Sequence, residues 1–300
     1  MATESQPLHS AAGLADTAGS PLPPAGRDNL AFSDPARRLW LYHADCLHTL
    51  GRLAAQSEEG VFDVIFADPP YFLSNGGSTC RSGRRASVDK GSWDKSQGPD
   101  ENHRFNLEWL GCCQRVLKPN GTIWVTGTQH VIYSVGFALQ QLGFKLLNSI
   151  TWEKPNPPPN LSCRYFTHST ETVLWAAKGP KSRHRFNYGF LREMNGGKQM
   201  KTVWKLPAPG SAEKRFGKHP TQKPVSLVER CLVACSKPGD LVLDPFVGAG
   251  TTAVAAARLG LGCVGIDLDH YWIEVSSKRL QDEPRVQGWL LPGAGVTPAS

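Results

Sequence analysis

Val61-Phe62-Asp63-Val64-Ile65-Phe66-Ala67-Asp68-Pro69-Pro70-Tyr71 is the stretch that decides the fold. Val, Ile and Phe dominate its first seven residues and no turn former follows Asp63, which predicts a strand buried on both faces, as in a parallel sheet. Two consecutive prolines then end the strand, because each fixes φ and lacks a backbone N–H, and Pro69 holds Asp68 extended. A carboxylate, a carbonyl and a tyrosine ring are thereby delivered to the carboxyl end of a strand, the edge at which open α/β sheets bind ligands. A flat heteroaromatic ring carrying an exocyclic amine fits this trio. It would stack on Tyr71 while the Asp68 carboxylate and the Pro69 carbonyl accept its two amino hydrogens, turning the nitrogen lone pair out of conjugation. The blander reading is a strand end closed by the two prolines, with Asp68 capping the next segment.

Upstream, Arg38 to Asp45 reads as the first strand, followed by a helix with Cys46 and Leu47 in its first turn; Asp45 fits a helix N-cap and a cofactor contact equally well. Residues 1–34 are rich in Ala, Ser, Gly and Pro without a basic start or an apolar run, so we expect a disordered extension with no export signal. A single domain is expected over 35–283, with a tail at 284–300. Downstream of Tyr71 the periodicity vanishes, and 72–97 is expected to be a mobile basic loop. It carries Arg81, Arg84, Arg85, Lys90 and Lys95 against Asp89 and Asp94. Phosphate contact and a plain solvated surface both account for it.

Regular structure resumes with a helix over 105–117, a turn at Lys118-Pro119-Asn120-Gly121, a strand over 122–127, a helix over 131–141 and a strand over 144–152. A proline-rich loop and a strand over 171–177 follow, and the alternation argues for a doubly wound sheet. Residues 178–223 then carry a basic excess larger than the +7 of the whole chain. It includes Arg183, Arg185, Lys198 and Lys201, interleaved with Phe186, Tyr188, Phe190, Trp204 and Phe216. We read 178–218 as a nucleic-acid recognition region rather than a basic linker. A second motif follows. Leu241 to Asp244 is a buried strand, Pro245-Phe246-Val247-Gly248-Ala249-Gly250-Thr251-Thr252 a glycine-rich turn into a helix, and Leu261 to Ile266 a strand ending at Asp267, where an acid can hold ribose hydroxyls. Alone, this pattern also fits a nicotinamide-dependent oxidoreductase.

Composition bounds the alternatives. The chain has 300 residues, 40% hydrophobic, with 33 Lys plus Arg against 26 Asp plus Glu, so a sizeable core and a polyanionic partner are both reasonable. Its 8 cysteines lack metal-ligand spacing, which points to reduced thiols in a cytoplasm and to no metal site. No apolar run is long enough for a membrane span.

Asp68-Pro69-Pro70-Tyr71 resembles the catalytic motif of S-adenosylmethionine-dependent DNA amino-methyltransferases, which methylate adenine N6 or cytosine N4. The order of catalytic motif, basic region and glycine turn resembles the β group of that family. Tyr71 to Gly77, Ser162 to Thr172 and Gly197 to Lys201 are similar to the second adenine methyltransferases of DpnII-type restriction systems, which act at GATC on duplex and single-stranded DNA. The resemblance implies a circularly permuted, seven-stranded, mostly parallel methyltransferase sheet of Rossmann-like α/β class. Asp68, Pro69, Pro70 and Tyr71 would be catalytic. Asp45, Cys46, Leu47, Asp244, Pro245, Phe246, Gly248, Gly250, Thr251, Thr252 and Asp267 would line the cofactor site, with the Lys218 to Pro224 segment, Lys223 included, packed across the cofactor. Read from its residues alone, the same segment opens a helix through Ser236, with Thr221 as its cap and Pro224 in its first turn. Asp244 suits the cationic amino-acid end of S-adenosylmethionine better than a pyrophosphate. Arg81, Arg84, Arg85, Lys90, Arg183, Arg185, Lys198 and Lys201 would contact DNA. Aspartate at the head of the motif favours adenine over cytosine. No Pro-Cys dipeptide occurs, so a cysteine nucleophile for 5-methylcytosine has no candidate. A homodimer and a cognate restriction endonuclease are further expectations of the resemblance. A non-catalytic DNA-binding module is the reading from another class.

Overall fold

The computed structural model describes residues 25–73, 78–81, 84–87 and 94–284. In chain order the elements begin with β1 (Leu30–Asp34), β2 (Leu39–His43), α1 (Cys46–Gln56), β3 (Phe62–Ala67), β4 (Ser78–Arg81) and β5 (Arg84–Ser87). Then come α2 (Pro99–Val116), β6 (Leu117–Gly127), α3 (Ile132–Gln141), β7 (Lys145–Glu153), β8 (Thr170–Ala177), α4 (Tyr188–Met194) and β9 (Val203–Lys205). The chain closes with α5 (Val225–Cys235), β10 (Leu241–Asp244), α6 (Thr251–Arg258), β11 (Gly262–Asp267) and α7 (His270–Asp282). No helix among the described residues is long and apolar enough to cross a membrane.

Among the described residues the main sheet has nine strands rather than the seven expected, in the order β1-β2-β11-β10-β3-β6-β8-β7-β9. Strands β2, β11, β10, β3 and β6 are mutually parallel; β8 runs antiparallel to both β6 and β7. The two extra strands are short edge pieces. β1 pairs antiparallel with β2, so the expected disordered extension ends before residue 30, and Ala25 is already buried against Tyr42. β9 adds three residues alongside the end of β7. The expected unstructured loop after Tyr71 holds the hairpin β4–β5. Helix α2 begins earlier than its apolar spacing implied, at Pro99, a first-turn proline followed by Asp100 and Glu101, which suit the positive helix terminus. Helix α5 is capped at Pro224, not Thr221.

Side chains alternate along β3, with Val64 and Phe66 entering one core and Ile65 and Ala67 the other. Helices α5, α6 and α7 cover the first core, and α1, α2 and α3 the second. Across β6 and β8, Trp124 and Trp175 are register partners whose rings stack at 4.7 Å, filling the first core beside Trp204.

Strands β3 and β10 are neighbours in space although 178 residues apart in sequence at the bond that joins their amino ends, where Leu241 N donates to Asp63 Oδ2 at 2.9 Å. Lys118 Nζ holds both oxygens of the same carboxylate at 2.8 Å. Because this pairing sets the two motif-bearing strands side by side, Asp63→Ala is expected to destabilise the protein by about 1–3 kcal/mol, the cost of leaving a strand-end N–H unpaired. Asp63→Asn, which keeps an acceptor, should lose less; urea unfolding of the two variants checks the order.

Candidate active site

The carboxyl ends of β3, β10 and β11 open into a cavity of about 520 Å³. Asp68, Pro69, Pro70 and Tyr71 line one side of it, and Asp244 to Ala249, Thr251, Thr252 and Asp267 the other. The two sequence motifs therefore share one cavity.

Asp68 is heavily engaged. Its Oδ1 accepts from the Tyr71 hydroxyl at 2.7 Å and from Thr126 Oγ1, and its Oδ2 accepts from Lys223 Nζ at 2.6 Å. Lys223 is buried and also lies 3.6 Å from Glu171 Oε2, while Lys154 Nζ holds Glu171 Oε1. The four charges alternate in sign along the chain Lys154, Glu171, Lys223, Asp68. Burial alone would raise the Glu171 carboxyl, but the ammonium groups of Lys223 and Lys154 outweigh it and hold the carboxyl below its ordinary value. Burial would lower Lys223, and Asp68 and Glu171 outweigh that, leaving it raised. Tyr71 is pushed far up by burial and then by those two carboxylates, so it is a neutral donor. The sequence reading put Lys223 on the cofactor; its side chain lines the cavity that the glycine turn also lines, and its ammonium rests on the Asp68 carboxylate. Tyr71, expected as an open stacking platform, is 4% exposed, with its hydroxyl also 3.3 Å from Glu171 and Lys223 Nζ 5.1 Å from its ring centre.

The segment after Tyr71 is fixed from below. Asp94, fully buried, accepts from the backbone N–H groups of Tyr71 and Phe72 at 2.8 Å and Leu73 at 3.1 Å. Phe72 adopts φ +56°, a conformation uncommon outside glycine, which this three-fold grip supports. Sequence reasoning took Asp94 only as a counter-charge in a basic loop.

On the other side, Asp244 ends β10 with its carboxyl buried and pushed up to about 7, chiefly by burial, against hydrogen bonds from the Thr252 hydroxyl and from Phe246 N at 2.9 Å. Gly248 and Gly250 have distinct jobs. A Cβ on Gly248 would lie 3.3 Å from the His219 ring, which closes the turn and packs edge-on against Trp272. Gly250 does not line the cavity; at φ +79° it caps α6, and a Cβ there would strike Ser276 at 2.8 Å. Asp267 uses both oxygens on backbone N–H groups, Gly248 at 2.8 Å and Asp269 at 2.9 Å, and burial raises it too. Phe246 spans to α2 through Trp109 at 5.3 Å. Asp45 caps α1 through His48 N, as one of its two readings had it, and also lines the cavity. Cys46 is a cavity wall whose thiol burial lifts to about 12, so it is no nucleophile. Leu47, in the first turn of α1, is partly buried against the second core and is not a cavity wall. The donor set fits a cationic ligand with a ring and hydroxyls: acids at three neighbouring strand ends, Asp244 buried and Asp68 and Asp267 partly so, apolar walls and a glycine turn open to close approach.

The basic residues divide. Because β8 runs antiparallel, residues after it emerge at the amino end of the parallel strands, opposite the cavity. Arg183 N is bound to Asn120 Oδ1 there, and the Asn187 side chain caps the end of α5, so Arg183 and Arg185 do not share a face with the active site, contrary to expectation. Lys198 and Lys201 are exposed on the lateral edge leading into β9. Arg81, Arg84 and Arg85 belong to the β4–β5 hairpin, and Lys90 lies outside the described residues. The residues that sequence reasoning missed, Thr126, Lys154, Glu171 and Asp94, are isolated in sequence and meet only through the sheet.

Residues 62–278 match the DNA methylase family. The Type II methyltransferase M2.DpnII of Streptococcus pneumoniae is 53% identical over 247 residues, 82% of this chain and 91% of that protein. M2.MboI of Moraxella bovis is 45% identical over 251 residues, 84% and 90% of the two chains. The crystal structure of the M1.HpyAVI–SAM complex superposes with a TM-score of 0.62 at 28% identity, covering 81% of this chain and 98% of that one. With the two motif strands side by side over one cavity, these matches make the chain a member of the DNA methylase family.

Proposed function

We propose that the protein transfers a methyl group from S-adenosylmethionine to the exocyclic N6 of an adenine turned out of DNA. The observation that carries this is Asp68 at the end of β3, held within the same cavity as Asp244 and the glycine turn. When bound, S-adenosylmethionine supplies an electrophilic methyl group on a cationic sulfur. The chain's own residues do the rest. Asp244, Asp267 and the backbone of the glycine turn would hold the cofactor. Asp68 and the Pro69 carbonyl would accept the two amino hydrogens, aiming the nitrogen lone pair. The Lys223 ammonium holds Asp68 Oδ2 and so fixes the orientation of the carboxylate. A Tyr71 ring that swings to stack on the base must take its hydroxyl off Oδ1, so the same motion frees the acceptor the amine needs. Positioning and exclusion of water carry the rate, and no side chain forms a covalent intermediate. Homodimer formation, pairing with a cognate restriction endonuclease and a cytoplasmic location belong to the same reading and rest on the resemblance of the sequence.

Incubation with S-adenosylmethionine and unmethylated genomic DNA, followed by nucleoside mass spectrometry, is expected to yield N6-methyladenine, lost in Asp68→Ala. N4-methylcytosine instead would keep the mechanism and change the base.

Asp244 gives a pH signature. Its folded-state pKa is raised to about 7, so the stability it contributes is present below the ordinary carboxylate range and is lost as pH rises through 7. The ligand-free protein should therefore melt lower at pH 8 than at pH 6. Cofactor affinity should run the other way, tightening by about tenfold over that interval as the carboxylate ionises against the cofactor's ammonium. Calorimetric titration checks both this and its flattening in Asp244→Asn.

The split of basic residues predicts that Arg183→Ala with Arg185→Ala leaves duplex affinity and its salt dependence unchanged. Lys205→Ala and Lys218→Ala, at the cavity end, should each lower the slope of log K against log salt by about one, measured by fluorescence anisotropy.

A further inference from the structure

Strand β7 runs out at Glu153 and β8 begins at Thr170, and the base of the loop between them lies behind the cavity wall, where Glu171 meets the lining residues Lys223 and Tyr71. Lys154 N donates to Ser169 O at 2.8 Å, and the Lys154 ammonium and Glu171 belong to the buried cluster that holds Asp68. Pro155 and Pro157 to Pro159 stiffen the way out. The tip is then tied by its own side chains. Asn160 Nδ2 donates to Tyr165 O at 2.6 Å, and Asn160 Oδ1 accepts from Ser162 N at 3.0 Å and Ser162 Oγ at 2.8 Å. This preset loop presents apolar rings to solvent. Phe166 is 96% exposed, Tyr165 60% and Leu161 52%, with Arg164 exposed among them. Contiguous exposed apolar groups of this kind mark a contact surface.

We propose that this loop engages the DNA duplex at the target, Phe166 packing into the stack where the target base has left it, with Tyr165 and Arg164 alongside on base and phosphate. The inference rests on the methyltransferase reading and names a residue that the reading does not use. A flipped base leaves two apolar base faces uncovered, and an aromatic ring can cover them whatever the sequence. The two ends of the loop are tied through Lys154 and Glu171 to the lining residues Lys223 and Tyr71, its tip is already fixed by the Asn160 hydrogen bonds so that little ordering remains to be done on binding, and its one arginine suits a polyanion. A second copy of the chain or a protein partner could also cover these rings, but neither would favour duplex over single strand.

The test compares wild type, Phe166→Ala and Phe166→Trp on one mapped target site, as a duplex and as the isolated strand. Phe166→Ala is expected to lower kcat/KM on the duplex by about tenfold or more and on the single strand, which needs no unstacking, by less than about threefold. Phe166→Trp should restore the duplex rate. Cofactor affinity should not move in either variant, because Phe166 is not a cavity wall. Equal losses on both substrates, or no loss on the duplex, would overturn the proposal. So would a changed sedimentation coefficient with unaltered duplex activity, which would assign the rings to a protein contact. Wild type that methylates neither DNA form would overturn the methyltransferase reading itself, a result visible before any variant is measured.

Discussion

The buried run of charges from Lys154 through Glu171 and Lys223 to Asp68 is the constraint on which the active site depends. Any one of these groups alone in that environment would be strongly disfavoured, and removal of one partner from a buried pair typically costs several kcal/mol. In series they sum to zero charge, with the Tyr71 and Thr126 hydroxyls satisfying the remaining carboxylate lone pairs. The members come from the end of β3, the end of β7, the start of β8 and the segment before α5, so the network can form only when the sheet has brought all four together. Folding and assembly of the network around Asp68 are therefore coupled. Asp68 is held ready but never idle.

The same sheet explains why the basic region does not act as one surface. A chain leaving an antiparallel strand emerges at the end opposite to that of its parallel neighbours, which sends residues 178–187 beneath the sheet. The chain then climbs its outer edge through α4 and β9 and returns to the cavity end only from Lys205 onward, where Leu206 N binds Glu153 O and Gly217 packs against Val275 and Trp272. Charge composition carries no record of strand direction, so the sequence could mark the region as basic but not say which arginines face the substrate.

What was legible in the chain follows the range of each signal. Buried strands announce themselves by continuous apolar runs, and the Asp-Pro-Pro-Tyr and glycine-turn motifs are local in sequence, so β3, β10, α6 and β11 and most of the cavity wall could be read from neighbouring residues. The edge strands could not, because β9 is three residues long and β1 sits in a stretch of small and polar residues whose pairing depends on β2. Asp94, Thr126, Lys154 and Glu171 are single polar residues flanked by ordinary sequence, and their roles arise from partners 17 to 100 positions away. One signal was available for Thr126: it lies at the carboxyl end of a predicted buried strand, the edge where ligands bind. Glu171 gave none, since it stands at the beginning of its strand and reaches the active edge only because β8 is reversed.

The two halves of the cavity are electrostatically unlike, and the difference bears on the ligand. Glu171 and Asp244 are both buried acids at the same edge, yet one is held below its ordinary value and the other is raised to about 7. The cause is the supply of cations. Lys154 and Lys223 lie against Glu171, whereas the influences on Asp244 among the described residues are burial, two hydrogen bonds and the like charges of Asp68 and Asp267. With three carboxylates at adjacent strand ends and Lys154 and Lys223 committed to Glu171 and Asp68, the chain leaves the Asp244 side of the cavity in want of positive charge. A pyrophosphate would make that imbalance worse, while a ligand carrying an ammonium and a sulfonium corrects it. The electrostatics of the chain thus favour the methyl donor over a dinucleotide, the choice that the glycine turn alone left open.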